Sequence, residues 1–585
     1  MTEPTADTRT PVTGIVGLGS IGEALVHLLF TAGHRIVAVD TDLDVLARAA
    51  GRLKAVHGDG PDHPGVTFTA DHTRLREAAL VVEAVPDTPA AKSEALRRIT
   101  AVCPPGTPLV TTTAALPVAR LAIGSGRPAD LAGLRLFTPP GPGGPAEPVL
   151  TALTSPATAD ALRAFVESTG LTPVEVGAGP AADAGALVLG LLNRAAVFLA
   201  EGHVTHTDID TAMRLGCGLP AGPLETLDAM GLDTAHAALM ELWRRTGDSA
   251  FEPAPLLSRM VAAGDLGRKT GRGFHTYDET GRPLTGAAGA PDDTPAAPVG
   301  RVGVLGSGAM ARGIAEVTAL AGHPTVLVAR SAAKAEAAVE AVAGSLTRAV
   351  RRGRIGPEDK SATLARLDGT DDFASLADCD LVIEAVAEDP GVKRAVFAAL
   401  GEVCAAHAVL ATTTSSLSVA ECAEASGRPA DTVGLHFFNP APVMRLVELA
   451  RTDATAPGTL ATARAFSRGL GKTTVECPDR TGFIVNSLLF PYLGAALALL
   501  ERVGADEAVI ERTDTAVQRG FGFPMGPFAL LDTIGLDVSL AIQQRLYERF
   551  ATPEYEPSGA LAELVAAGLL GRKNGQGLRT AAAAR

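Results

Sequence analysis

Aromatic residues make up only 4% of this 585-residue chain, with one tryptophan, Trp243, and four tyrosines. So few rings exclude an extended base-stacking surface for single-stranded nucleic acid. Charge is sparse as well, at 20%, and unbalanced: 51 Lys+Arg against 65 Asp+Glu give a formal net charge of -14. A chain of that sign has no sequence-independent attraction for nucleic acid or anionic membrane, so neither partner is expected, and an anionic ligand must be met by a local basic cluster. The six cysteines, Cys103, Cys217, Cys379, Cys404, Cys422 and Cys477, lack the close pairs of a zinc site or redox motif. Reduced, mostly buried thiols and no metal are expected. The longest nearly uninterrupted apolar stretch, Leu488 to Leu500, contains Pro491 and falls short of the roughly 18 residues a membrane span needs. The opening MTEPTADTRTPV has neither the basic start nor the apolar core of a secretory signal, and a cytoplasmic location is expected.

What the chain has is repetition. GIVGLGSIGEALVHLLFTAGHRIVAVD near the start returns as VGVLGSGAMARGIAEVTALAGHPTVLVAR from Val302, with Gly17 matching Gly306 at an offset of 289. LVVEAV matches LVIEAV, placing Glu83 on Glu384 at an offset of 301, and LGRKTGRGF matches LGRKNGQGL at 304. This is a tandem duplication with small insertions. Within each copy, short Val/Ile/Leu runs alternating with Ala-rich helical stretches give way to a part without strand runs. The expected fold is therefore a Rossmann-like α/β dinucleotide-binding domain followed by an all-α domain, the pair present twice. The expected boundaries are a tail at 1–10, an α/β domain at 11–180, a helical domain at 181–280, a linker at 281–299, a second α/β domain at 300–478 and a second helical domain at 479–578.

In both copies an apolar strand runs into a glycine turn and then a helix: Gly17, Gly19 and Gly22 in the first, Gly306 and Gly308 in the second, followed by Met310 and Ala311. The first glycine allows the turn, the second lets the backbone approach a pyrophosphate, and a small third residue lets helix and strand pack; the anion sits on free amides at the helix start. A second strand ends 23 residues on, where a carboxylate holds the adenosine ribose. The first copy has Asp40 there; the second has Ala329 followed by Arg330. A guanidinium in place of a carboxylate suits a 2′-phosphate, so the cofactor is NAD or NADP, with NADP an option for the second copy; a plain surface arginine is the other reading.

The second copy also contains GLHFFNPAPVMRLVEL, with His436 and Glu448 twelve residues apart across a Pro-rich turn. An imidazole that donates one ring nitrogen to a carboxylate is fixed in tautomer and made a better base, which suits taking a proton from an alcohol as hydride leaves its carbon. GSGAMARGIA, LVIEAV, TTTSSL, GLHFFNPAPVMRLVEL, TGFIVNSLLFPY, GFPMGPFALLD and GRKNGQG, in this order, resemble the 3-hydroxyacyl-CoA dehydrogenase family across nearly all of the second copy and, more weakly, the first. The resemblance implies that the all-α domain is of the 6-phosphogluconate-dehydrogenase-like type, and that the activity is reversible NAD(P)-dependent oxidation of an (S)-3-hydroxyacyl-CoA to the 3-oxoacyl-CoA. It casts His436 as the base and Glu448 as its partner, and gives Ser415 and Asn486 to the reacting oxygen. Glu384 and Lys393 fall near the nucleotide, and Ser345 and Arg352 near the coenzyme A phosphates, beside Arg348, Arg351 and Arg354. The chain departs from the family at Thr413, where Asn is usual, and at Ala329. An oxidoreductase acting on carrier-bound thioesters in specialised metabolism, or a noncatalytic dinucleotide-binding protein, would use the same turns.

Carrying the offset of 301 into the first copy puts Arg135 at His436, Ala114 at Ser415, Ala115 at Ser416 and Thr138 at Asn439, while Glu147 remains opposite Glu448. No Asn stands opposite Asn486, and the stretch from Asp40 to Glu83 is twelve residues shorter than its counterpart. The first copy is expected to have lost the chemistry and to pack through its helical domain as half of an intramolecular pseudo-dimer; an NAD-binding regulatory role is the alternative. A further homodimer is compatible with the family. His203 and His206 are expected on an exposed loop.

Overall fold

The computed structural model describes residues 11–58, 65–113, 116–136, 139–173, 180–279, 281–284, 294–504 and 506–579. The tail at 1–10, linker residues 285–293, and Ala114, Ala115 and Thr138 lie outside the described residues.

Each copy opens on an eight-stranded sheet. The first contains β1 (Val12–Val16), β2 (Arg35–Val39), β3 (Val66–Thr69), β4 (Ala78–Glu83), β5 (Leu109–Thr111), β6 (Leu131–Leu136), β7 (Pro145–Val149) and β8 (Thr172–Pro173). The second contains β9 (Val302–Leu305), β10 (Thr325–Val328), β11 (Leu367–Thr370), β12 (Leu381–Glu384), β13 (Val409–Thr412), β14 (Thr432–Phe437), β15 (Leu446–Arg451) and β16 (Thr473–Pro478). Both follow one order, β3-β2-β1-β4-β5-β6-β7-β8 and β11-β10-β9-β12-β13-β14-β15-β16. Pairing is parallel except between β6 and β7 and between β14 and β15. The central strands are buried on both faces, as the continuous apolar runs VTGIV and VGVL require of a parallel sheet with helices on either side.

The two sheets differ between their second and third strands. The first copy has the 15-residue helix Leu43–His57, whereas the second has the 20-residue helix Ala332–Arg351 followed by Pro357–Leu364. The twelve extra residues thus extend one helix and add another, carrying the arginine cluster to the far end of Ala332–Arg351.

Beyond the sheets each copy turns helical, from Pro180–Ala200 in the first and Val485–Val503 in the second. Pro180–Ala200 packs against both Val485–Val503 and Glu507–Phe521. A single apolar core unites Leu191, Phe198, Met213 and Leu239 of the first copy with Phe490, Leu493, Leu497 and Leu546 of the second. Polar groups cross the same seam: Arg480 pairs with Glu201 and lies 4.7 Å from the Phe550 ring centroid, and Arg194 donates to the Tyr555 hydroxyl at 3.0 Å. No helix among the described residues is long and apolar enough to cross a membrane.

One sequence expectation is corrected. His206 is not an exposed loop residue; it is the first residue of helix His206–Cys217, half-buried with its ring edge-on to His275 at 4.7 Å between centroids. The reason is a capping box, in which Thr205 and Asp208 bond each other's backbone and draw His206 into the first helical turn.

Candidate active site

Strand register builds the centre of the site. β14 and β15 run antiparallel with His436 directly opposite Glu448, and His436 Nδ1 lies 2.7 Å from Glu448 Oε2. The other carboxylate oxygen accepts the backbone amides of Ile484 (3.0 Å) and Val485 (2.9 Å), where helix Val485–Val503 begins. Glu448 is wholly buried, and free amides at a helix start are the setting in which a buried anion is satisfied. With Nδ1 held as a donor to this carboxylate, the Nε2 lone pair is left for a proton. The rings of Phe438 and Phe483 pack on the imidazole at 4.6 and 5.4 Å between centroids.

Nε2 faces Ser415 Oγ at 3.1 Å, and Asn486 Nδ2 donates to the Ser415 carbonyl at 3.3 Å. His436, Glu448, Ser415 and Asn486 therefore converge, although they come from two strands, a loop and a helix. The loop is organised by Glu388, which sequence reasoning missed. Its Oε1 accepts the Thr414 hydroxyl and the amides of Ser415 (2.9 Å) and Ser416 (3.2 Å). Burial alone would push the Glu388 carboxyl up, but Lys393, Thr414 and the Ser415 amide outweigh it and hold the group below the usual range. Asp87 takes the corresponding place in the first copy, bonded to Thr113 at 2.6 Å, so a carboxylate four residues after the repeated Glu-Ala-Val glutamate was the available signal.

Glu384 and Lys393 face each other inside the protein. Lys393 Nζ lies 2.8 Å from both Glu384 carboxylate oxygens, and Thr412 donates to one of them at 2.7 Å. What this pair offers a nucleotide is the floor under the loop, not an exposed side chain.

The glycine turns fit a dinucleotide. A Cβ on Gly19 or Gly308 would meet nothing within 4 Å, so the backbone at the helix start is open to a ligand. At the third position the copies differ: a Cβ on Gly22 would lie 1.8 Å from the Gly17 carbonyl oxygen, whereas the second copy holds Ala311, fully buried. Gly306 accommodates that methyl by taking φ +134° where Gly17 has +91°. Asp40 accepts the Leu18 amide at 2.8 Å, tying the second strand's end to the turn. Ala329 is buried at the matching place and Arg330 is exposed, while Met310 is half-buried on the first turn of the helix.

Comparison with known proteins now decides the relationship. The chain matches the 3-hydroxyacyl-CoA dehydrogenase NAD-binding domain over residues 12–179 and again over 301–480, and the C-terminal domain of that family over 185–277 and 482–581. This chain belongs to the 3-hydroxyacyl-CoA dehydrogenase family. It is 43% identical over 282 residues to a 3-hydroxybutyryl-CoA dehydrogenase of Mycobacterium tuberculosis, covering 48% of this chain and 98% of that protein. It is 40% identical over 286 residues to human mitochondrial hydroxyacyl-coenzyme A dehydrogenase, covering 48% and 90%. A crystal structure of Escherichia coli 3-hydroxybutyryl-CoA dehydrogenase aligns with 96% of this chain and 99% of its own at a TM-score of 0.53, and at 19% identity that likeness concerns the fold.

In this two-copy dehydrogenase-family chain the basic cluster stands apart from the dyad. Arg348, Arg351, Arg352 and Arg354 are exposed around the end of helix Ala332–Arg351. Ser345, one turn earlier, hydrogen-bonds Glu316, whose carboxyl is pushed up by burial against the opposing pull of Ser345 and Arg348.

The first copy reaches the second copy's site. A Cβ on Gly216, near the end of helix His206–Cys217, would lie 2.9 Å from Val485 Cγ2, 3.0 Å from Leu446 Cδ2 and 3.4 Å from the Phe438 ring. The neighbouring Cys217 thiol is pushed up to about 12, by burial and then by the Glu448 carboxylate. The reciprocal contact also exists: Phe521 of the second copy lines the cleft of the first.

Within the first copy the sheet register is repeated while the residues it brings together differ. β6 and β7 set Arg135 directly opposite Glu147, and the two form an ion pair. Leu189 and Leu192 line the wall beside it, where the second copy has Asn486 on the equivalent helix.

Proposed function

We propose that the second copy catalyses the reversible NAD(P)-dependent oxidation of an (S)-3-hydroxyacyl-CoA to the 3-oxoacyl-CoA. The observation that carries this is the His436–Glu448 pair, fixed by strand register with Nε2 turned to Ser415. Gly306 and Gly308 would hold NAD(P), which when bound would supply the hydride acceptor. His436 takes the 3-hydroxyl proton on Nε2, and the imidazolium so formed is stabilised through Nδ1 by Glu448, itself steadied by the Ile484 and Val485 amides. In reduction His436 returns that proton. Ser415 Oγ, already at hydrogen-bond distance from Nε2, donates to the reacting oxygen and places it; Asn486 holds the Ser415 backbone and closes the same side.

The exposed arginines at 348–354 supply the positive charge that the phosphates of coenzyme A require in an acidic chain, with Ser345 and Arg352 at the contact. Ala329 and Arg330 support acceptance of NADP as well as NAD, because no carboxylate stands there to repel a 2′-phosphate. The helical domains of the two copies act as an intramolecular pseudo-dimer in which the first copy buttresses the second.

The test is reduction of acetoacetyl-CoA by the full chain with NADH and NADPH in parallel. Turnover to 3-hydroxybutyryl-CoA is expected. Absence of turnover on this and longer 3-oxoacyl-CoA substrates, in protein that binds NADH, would remove the assignment.

A further inference from the structure

The first copy has an arginine in place of the histidine, yet it keeps the glycine turn and Asp40. Its cleft encloses about 610 Å³ and runs from Gly17, Gly19 and Asp40 to Arg135 and Leu189. That volume lies within the roughly 300–1,000 Å³ of ordinary cofactor sites. The buried support beneath it repeats three bonds of the second copy. Lys92 Nζ lies 2.9 Å from Glu83, Thr111 donates to Glu83 at 2.6 Å, and Thr113 donates to Asp87 at 2.6 Å. Asp40 is already aligned, accepting the Leu18 and Asp42 amides at 2.8 and 3.0 Å. At the far end the Arg135 side chain lines the cleft, is only 11% exposed and pairs through one terminal nitrogen with Glu147.

We propose that the first copy is a noncatalytic dinucleotide site that favours the reduced cofactor. Its turn and Asp40 hold the adenosine diphosphate part, and its reaction end carries a guanidinium where the second copy carries an imidazole. An oxidised nicotinamide ring is positively charged and a reduced one is neutral. Arg135 cancels the Glu147 carboxylate, whereas a neutral imidazole leaves the Glu448 charge standing, so the first copy lacks the second copy's pull on a cationic ring and favours NADH by comparison. With neither imidazole nor Asn486 equivalent, the bound cofactor is read and not consumed. Phe521 of the second copy lines this cleft, so its occupancy is felt across the seam between copies.

The two sites are separable by matched variants. Gly19 and Gly308 are the N-cap residues of their helices, with φ of -70° and -73°, and a side chain at either meets only open space. Aspartate is a favourable N-cap, so Gly19→Asp and Gly308→Asp should fold while a carboxylate occupies the pyrophosphate position. Equilibrium titration of the full chain with NADH is expected to give two molecules bound per wild-type chain and one in each variant. Comparing NADH with NAD⁺, the site left in Gly308→Asp should favour NADH by at least about fivefold more than the site left in Gly19→Asp, as expected for one added charge near the ring. Arg135→Gln, away from the turn, should keep two NADH per chain and erase that difference. One NADH per wild-type chain, unaltered by Gly19→Asp, would overturn the site without touching the function assigned to the second copy. An equal or smaller preference for NADH in Gly308→Asp would overturn the role of Arg135.

Discussion

His436 and Glu448 meet at 2.7 Å because they are opposite residues of one antiparallel strand pair. The Pro-rich turn between them only reverses the chain; the ladder sets the distance. Both side chains are anchored to a buried sheet, so their pairing is set by the fold itself, and Glu448 gains two amides at the start of the next helix. The same ladder in the first copy presents Arg135 to Glu147, which makes an ion pair and no base.

Cofactor choice follows from the end of β10. Arg330 in place of a carboxylate predicts NADPH turnover within tenfold of NADH turnover, and Arg330→Ala should weaken NADPH more than NADH. Steady-state KM values with each cofactor check this; a preference for NADH above tenfold in the wild type contradicts it.

Gly216 belongs to the first copy but packs against Val485, Leu446 and Phe438 of the second. Gly216→Leu should therefore lower turnover in the second copy and destabilise the chain by roughly 1–3 kcal/mol through overpacking. Thermal unfolding and kcat measured together test the point. An unchanged melting temperature with unchanged kcat would show that the first copy does not press on the site.

Deletion of residues 1–290 removes the partner of helices Val485–Val503 and Glu507–Phe521 and exposes the apolar face they share with Pro180–Ala200. The remaining fragment should be insoluble or weakly active, or should self-associate to cover that face. A monomeric fragment with full activity contradicts the buttress role.

His27 gives the chain an acid-sensitive spot. Burial, then the neighbouring His57 and Arg52, lower its pKa from 6.5 to about 4. In the unfolded chain it takes a proton below about 6.5, while the folded chain resists until about 4, so its share of stability is lost as pH falls through that window. The slope from one such group is at most about 1.4 kcal/mol per pH unit. His27→Gln should flatten the fall in unfolding free energy between pH 6.5 and 4, as measured by denaturant titration; an identical pH dependence in the variant contradicts it.

Much of this was legible in the sequence, because repetition and periodicity are local or regular. The glycine turns, the doubled α/β-then-α order and the pairing of His436 with Glu448 all rest on such signals. The rest depends on contacts between distant segments. Glu388 reaches the serine loop 26 residues on, the Ile484 and Val485 amides find Glu448 across 36 and 37 residues, and Gly216 belongs to another copy altogether. Glu384 and Lys393 show the converse, residues marked by motif as nucleotide neighbours that the fold pairs with each other beneath the loop. His206 stands in a helix and not a loop because its cap, Thr205 with Asp208, fixes the first turn.

The central claim, that the chemistry belongs to the second copy and runs through its imidazole, is tested most directly by acetoacetyl-CoA reduction with His436→Ala. With the protein folded and NADH still bound, kcat is predicted to fall by roughly 10²–10⁴, the usual worth of a positioned acid–base group. Turnover close to that of the wild type would contradict the account.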